Sequence, residues 1–276
     1  MSLALAHKRR VLAQGVAVVA VAGATPKAYS ADTALASPAN AQKHLKLMEQ
    51  SLQVDLDRIA AIDSREQRQL LKRDELLPKY LDYVKRYRES GLNFANPVLV
   101  YVLIWLFDTV QLTKGLELAD FAMGQDQKLP ERFNRNIQTF VADEVIDWAE
   151  AEYKAKRSPE PYVSNLLHLV DGEWKLFERI PARYHKQLGL LAMDRRDWTA
   201  AIVHFERAEA LYESIGVGTR LAGARKALLK AQASGSTDYI STRLDEVLPV
   251  ADEQDSVSGS GDNTDNTDSS ETAATD

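Results

Sequence analysis

The densest apolar stretch of the chain is Val98 to Phe107, ten residues without a charge. Asn96-Pro97 stands before it as a helix start, because Asn caps and Pro fits a first turn where its missing N–H costs nothing. The run is too short to cross a bilayer, which takes about 20 residues. It predicts a helix buried on nearly all sides. Asp108-Thr109 closes it, and Gly115 to Met123 has the spacing of a second, amphipathic helix.

This hairpin has an echo from Ala182 to Tyr212. Aligning Asp108 with Asp194 pairs Leu112 with Trp198, Thr113 with Thr199, Gly115 with Ala201 and Ala122 with Ala208. Small residues at a crossing let two antiparallel helices approach closely. The later copy also has Leu188, Gly189, Ala201, Phe205 and Ala208 at tetratricopeptide spacing, with His185 and Glu213 where that motif carries Trp and Pro. Two degenerate hairpins are expected, short of a regular array, which needs about three repeats.

Around this centre the pattern stays helical. Leu45, Met48, Leu52, Leu56, Ile59 and Ile62 form one apolar stripe over 41–62. That stripe suits self-association or packing within the domain, and periodicity does not choose between them. Ser64 with Gln67 reads as a capping box opening a charged helix to about Leu77. Leu76-Leu77-Pro78 reads as a break before a helix to Glu89. Ile137–Lys156, Tyr162–Val170, a helix begun at Pro181, and Gly216–Ala231 follow. No run alternates like strands. The expected fold is all-α: helical hairpins with degenerate tetratricopeptide-like packing, a long N-terminal charged helix pair and a disordered acidic C-terminal tail. The divisions are 1–40, a basic and apolar segment with a linker through Asn40; 41–90, amphipathic helices; 91–250, the hairpin core; and 251–276, the tail.

Composition alters this picture in two places. The net charge is −6, but residues 251–276 hold eight of the 40 acids and no base, leaving 32 acids against 34 bases in the body. The acidic balance therefore belongs to the tail and does not exclude a nucleic-acid partner. There is no cysteine, which removes disulfides and thiolate metal sites. Near the N-terminus, Lys8-Arg9-Arg10, the apolar stretch Val16–Ala24 and Thr25-Pro26 have the order of a secretory signal. The plainer alternative is an Ala/Val-rich segment with a basic end.

Neither G-x-x-x-x-G-K-[ST] nor G-x-G-x-x-G occurs, so an ATPase site is not expected. The five histidines show no zinc spacing. Asp108, Asp143, Glu144 and Asp147 are the candidates for holding Mg²⁺ in phosphodiester cleavage; the competing reading is a solvated helix face and a turn Asp. Candidate phosphate contacts are Lys8, Arg9 and Arg10, the densest cluster, then Arg220, Arg225 and Lys226 on the last helix, with Lys72-Arg73 and Lys154-Lys156-Arg157 behind them.

Three blocks, in order, carry a resemblance to one family: Arg73-Asp74-Glu75-Leu76-Leu77-Pro78; Trp105-Leu106-Phe107-Asp108-Thr109 leading to Gly115-Leu116-Glu117-Leu118-Ala119; and Leu129-Pro130-Glu131-Arg132-Phe133-Asn134-Arg135 followed by Phe140-Val141-Ala142-Asp143-Glu144-Val145. Over about 43–230 the chain resembles the phage terminase small subunit family, in the branch often called the terminase endonuclease subunit of temperate contractile-tailed phages. The resemblance implies binding of viral double-stranded DNA at the packaging or cohesive-end site, delivery to the ATPase-bearing large terminase subunit, a homo-oligomer, no membrane, and work in the host cytoplasm rather than secretion. The alternatives are a metal-dependent endonuclease cutting cohesive ends and a helical-repeat adaptor without DNA contact. No cofactor is expected, with Mg²⁺ needed only for cutting. Val110-Gln111 replaces the family's Gly-Asp, which removes a second carboxylate beside Asp108, and an acidic tail replaces a basic one.

Overall fold

The computed structural model describes Leu35 and residues 37–247, with side chains followed to Ser234. Lys8, Arg9, Arg10, the Val16–Ala24 stretch and the acidic tail lie outside the described residues. Among the described residues every regular element is helical.

Helix α1 runs Pro38–Ala60. The expected linker through Asn40 is corrected here: Ser37 Oγ accepts from the Asn40 amide and Pro38 occupies the first turn, so the helix starts ahead of its apolar stripe. Leu45 and Leu52 of that stripe are buried, and Met48, Leu56 and Ile59 pack against the same core. This much of the stripe is used within the domain. Leu47 and Val54 remain exposed on the opposite face.

Helix α2, Arg65–Leu71, opens where Ser64 Oγ accepts from the Gln67 amide. The break expected at Leu76–Pro78 does not occur. Lys72–Leu76 forms a π-type turn, and the Leu77 amide reaches back to the Lys72 carbonyl before α3, Leu77–Glu89, continues. Widening the helix ahead of Pro78 accommodates its ring and missing N–H while the chain stays helical.

Helix α4, Pro97–Asp108, is the expected buried helix: nine of its residues are buried, and Asn96 Oδ1 accepts from the Leu99 amide. It packs against α1, against α3 and against α5, Leu112–Gly124. Helix α6, Ile137–Lys154, is capped by Asn136. Helix α7, Tyr162–His168, ends in a second π-type turn, Leu169–Glu173. Helix α8, Arg179–Asp194, has Pro181 in its first turn, and α9, Trp198–Leu211, starts at the Asp197 cap. The last helix, α10, spans Gly218–Val247.

The two hairpins close with one turn. Val110 (φ 58°) and Arg196 (φ 61°) both adopt the left-handed conformation. The Val110 and Gln111 amides donate to Phe107 and Leu106; those of Arg196 and Asp197 donate to Met193 and Ala192. Those positions correspond one to one in the alignment that pairs Asp108 with Asp194. The apolar interior has two parts. The larger surrounds α4. The smaller lies between α8, α9 and the start of α10, and consists of five alanines with Phe205, Ile215, Val217 and Leu221. Helix α8 contributes to both, through Tyr184 and Leu188 on one side and Ala182 and Ala192 on the other.

Candidate nucleic-acid interface

Helix α10 carries four bases and no acid from Gly218 to Ser234. Leu221 and Ala224 turn inward onto α9, which leaves Arg220, Arg225, Lys226 and Lys230 exposed. Arg225 Nη2 donates to Glu206 Oε1 at 2.7 Å. Arg220, Lys226 and Lys230 form no ion pair among the described residues. Lys226 and Lys230 are four apart and share a face, where like charges repel unless an anion answers them. Near the N-terminal end of α10 lie Lys186 and Arg183 of α8. Burial pushes the Lys186 amine down, and the nearby Arg220 and Arg183 push it the same way; Lys186 Nζ donates to the Ile215 carbonyl at 2.7 Å. Arg183 is answered by Glu150 and Asp147. The residues expected from sequence at this end, Arg220, Arg225 and Lys226, are all exposed on α10; Arg220 and Arg225 flank its buried face, and Lys226 points outward with Lys230.

The other basic groups are largely matched by acids. Lys72 Nζ lies 2.7 Å from Asp108 Oδ2, Arg73 Nε 2.7 Å from Asp74 Oδ1, and Arg157 is held by Glu152.

The four candidate carboxylates also have their cations. Asp108 accepts from Lys72; Asp143 and Glu144 accept from Arg135 at 2.8 and 3.0 Å; Asp147 accepts from Arg183. Burial pushes the Glu144 carboxyl up, Arg135 pulls it down, and Asp108 and Asp147 push it up again. Asp108 and Asp147 thus lie within electrostatic reach of Glu144. Sequence placed Asp143 and Asp147 on one helix face, but different arginines draw them to different neighbours. Among the described residues no group of three or more histidines or carboxylates is placed to hold a metal ion. A carboxylate already bonded to a guanidinium is a poor donor for Mg²⁺, which demands near-octahedral oxygen ligation. The residues present do not fit that ion.

Between α8 and α9 the structure forms a polar cluster whose spacing gave no signal. His185 Nδ1 lies 3.0 Å from His204 Nδ1, and His185 Nε2 lies 3.0 Å from Asp171 Oδ2, which Arg207 also binds. With Nε2–H donating to Asp171, His185 accepts at Nδ1 from His204. A proton added to His185 Nδ1 would face that N–H. Burial pushes both imidazoles down, offset in His185 by Asp171. Burial, then Arg86, does the same at His44. A lowered histidine contributes stability that is fully present above its ordinary value of 6.5 and is lost as pH falls towards the folded-state value. The melting temperature is expected to fall from about pH 7.5 to about pH 5, and to fall less in His204→Asn. An equal fall in parent and variant, read by circular dichroism, would remove the pair from the explanation.

The profile of the phage small terminase subunit family matches residues 49–178. The "Probable terminase, endonuclease subunit" of Haemophilus phage HP1 (strain HP1c1) is 30% identical over 225 residues, 76% of this chain and 79% of that protein. The "Terminase, endonuclease subunit" of Escherichia phage P2 is 28% identical over 178 residues, 63% of this chain and 72% of that protein. Among solved structures, BtubC (BKLC) from P. vanneervenii covers 85% of this chain and is itself wholly covered, at 15% identity and a TM-score of 0.29.

Proposed function

The chain belongs to the phage small terminase subunit family of DNA-packaging proteins, and from that premise we propose that it binds the viral double-stranded DNA through α10 and presents it to the large terminase subunit. The binding site on the DNA is the packaging or cohesive-end site, the acting form is a homo-oligomer, and the work is done in the host cytoplasm. The observation that supports this reading is the acid-free basic stretch of α10, exposed where the helix packs on α9. Phosphate contact needs cations of one sign along a surface, and it needs no cofactor.

Replacing Arg220, Lys226 and Lys230 together by Ala tests it on labelled phage-end DNA. Affinity should fall, and the slope of log affinity against log salt should flatten by about two to three units, since each phosphate contact contributes roughly −0.9. Parent affinity with an unchanged slope would reject α10. The same measurement on a variant with Lys8, Arg9 and Arg10 replaced by Ala then decides whether the N-terminal cluster carries the contact.

The word endonuclease stands in the names of both relatives. In this chain the carboxylates that would serve such chemistry are engaged by Lys72, Arg135 and Arg183, which favours binding over cutting. Nicking of the labelled DNA that appears with Mg²⁺ and disappears with a chelator would reverse that preference.

A further inference from the structure

A cleft of about 400 Å³ opens between the C-terminal end of α1, the first π-type turn and α4. Arg68, Lys72 and Arg132 line it, against a single acid, Asp108. The rest of the lining is apolar, including Leu56, Ile59, Ile104 and Trp105. We propose that this cleft binds one nucleotide phosphate, with the cations on the phosphate oxygens and the apolar wall against the sugar.

Each cation is placed by a different device. The π-type turn starts at Lys72 and directs a side chain that is only 12% exposed towards Asp108, itself 30% exposed. Such turns recur at functional sites because they shift a residue off the regular helical face. Arg68 Nε donates to the Ile62 carbonyl, and Nη2 to Asp63 at 3.3 Å. It thereby engages carbonyls of the turn just after α1, which would otherwise repel an anion. The Arg132 guanidinium is fixed by stacking, 5.3 Å from the Tyr101 ring centre and 5.1 Å from that of Phe133. Among the described residues it has no hydrogen bond or ion pair, so its donor edges stay open. Three cations with one carboxylate leave a positive surplus, which a phosphate answers with bidentate geometry at arginine. The volume suits one phosphate with part of a nucleoside. Asp108 then acts as the internal competitor: it occupies Lys72 until an anion takes its place.

The phosphate could belong to a free nucleotide or to a DNA backbone, and both are chemically the same to these side chains. Isothermal titration of the full chain with deoxyadenosine monophosphate, and separately with a short duplex, distinguishes the two. Arg132→Ala, an exposed change that should leave folding intact, is expected to weaken phosphate binding about tenfold or more, as for lost charged hydrogen bonds. Asp108→Asn is expected to strengthen it, because Lys72 is released. The α10 triple variant should keep monophosphate affinity while losing duplex affinity, so failure of the α10 reading and failure of this one are separable. If only duplex binding responds to Arg132→Ala, the backbone is the source; if the monophosphate responds alone, a free nucleotide is. Parent-like binding of both ligands by Arg132→Ala, no binding of either by the parent, or weaker binding by Asp108→Asn would each overturn the proposal.

Discussion

Gly189→Ala is expected to lower the melting temperature by about 5–10 °C, a net loss of about 2–3 kcal/mol at this size. An added Cβ at Gly189 would stand 2.5 Å from Cε1 of Phe205 and 2.6 Å from its Cδ1. Phe205 is fully buried, so its ring has nowhere to go, and the α8–α9 hairpin must open. The gain of about 1 kcal/mol from replacing a helical glycine by alanine is outweighed. Gly115 provides the control. There the nearest atom is 3.1 Å away, on the Phe107 ring. A shift of a few tenths of an ångström would suffice, and Gly115→Ala should be close to neutral. Phe205→Leu added to Gly189→Ala should cost less than the two single changes together. A Gly189→Ala protein that melts with the parent would remove the close approach as a determinant of the hairpin.

Asp55→Ala should cost about 3 kcal/mol, read by urea denaturation near pH 7. Asp55 is 1% exposed on α1. It accepts from Tyr80 Oη at 2.7 Å and from Lys79 on α3, while Arg58 Nη1 binds its other oxygen at 3.0 Å. Burial alone would push its carboxyl up, but the bonds from Lys79, Tyr80 and Arg58 together hold it below its ordinary value of 3.8. Its contribution is therefore present above 3.8 and lost as pH falls through the folded-state value. Removing the carboxylate leaves the buried Tyr80 hydroxyl with only Ser51 Oγ, at 3.3 Å. Tyr80→Phe should cost less, about 1 kcal/mol, because the charged bonds to Lys79 and Arg58 survive. Equal losses for Asp55→Ala and Tyr80→Phe would show that the hydroxyl, and not the charge, ties α1 to α3.

The parts of this fold that could be read from sequence are those written in neighbouring residues. Asn96-Pro97 before ten apolar residues is a cap and a buried helix, and so it folds. Ser64 three residues before Gln67 behaves likewise. The repeated hairpin could be aligned because its turn is local, and Val110 and Arg196 duly share one conformation. Pro78 signalled interruption, yet a proline states only which hydrogen bond is missing; whether the chain stops or widens depends on the core beneath Leu76 and Leu77. The sites fared unevenly for the same reason. Arg220, Arg225 and Lys226 belong to one helix, so sequence alone could group them. The cleft draws Arg68 and Lys72, Asp108, and Arg132 from three separate segments, and no spacing links one segment to another. The Asp143, Glu144 and Asp147 grouping looked like a ligand set because the arginines that occupy it, Arg135 and Arg183, come from elsewhere.

The smaller apolar interior under α10 has a thermodynamic corollary. Five of its nine buried residues are alanines, and each buried methyl contributes only about 0.8 kcal/mol, against roughly 1.5–3 for a buried leucine or phenylalanine. The large core around α4, with Trp105, Tyr80 and Phe140, has far more to lose. Amides of α9 and α10 should therefore exchange with solvent through openings that leave α3 and α4 intact, as a separate cooperative unit of lower free energy. The helix proposed here to contact DNA, mounted on such a unit, can part from its hairpin and re-seat while the rest of the molecule keeps its shape.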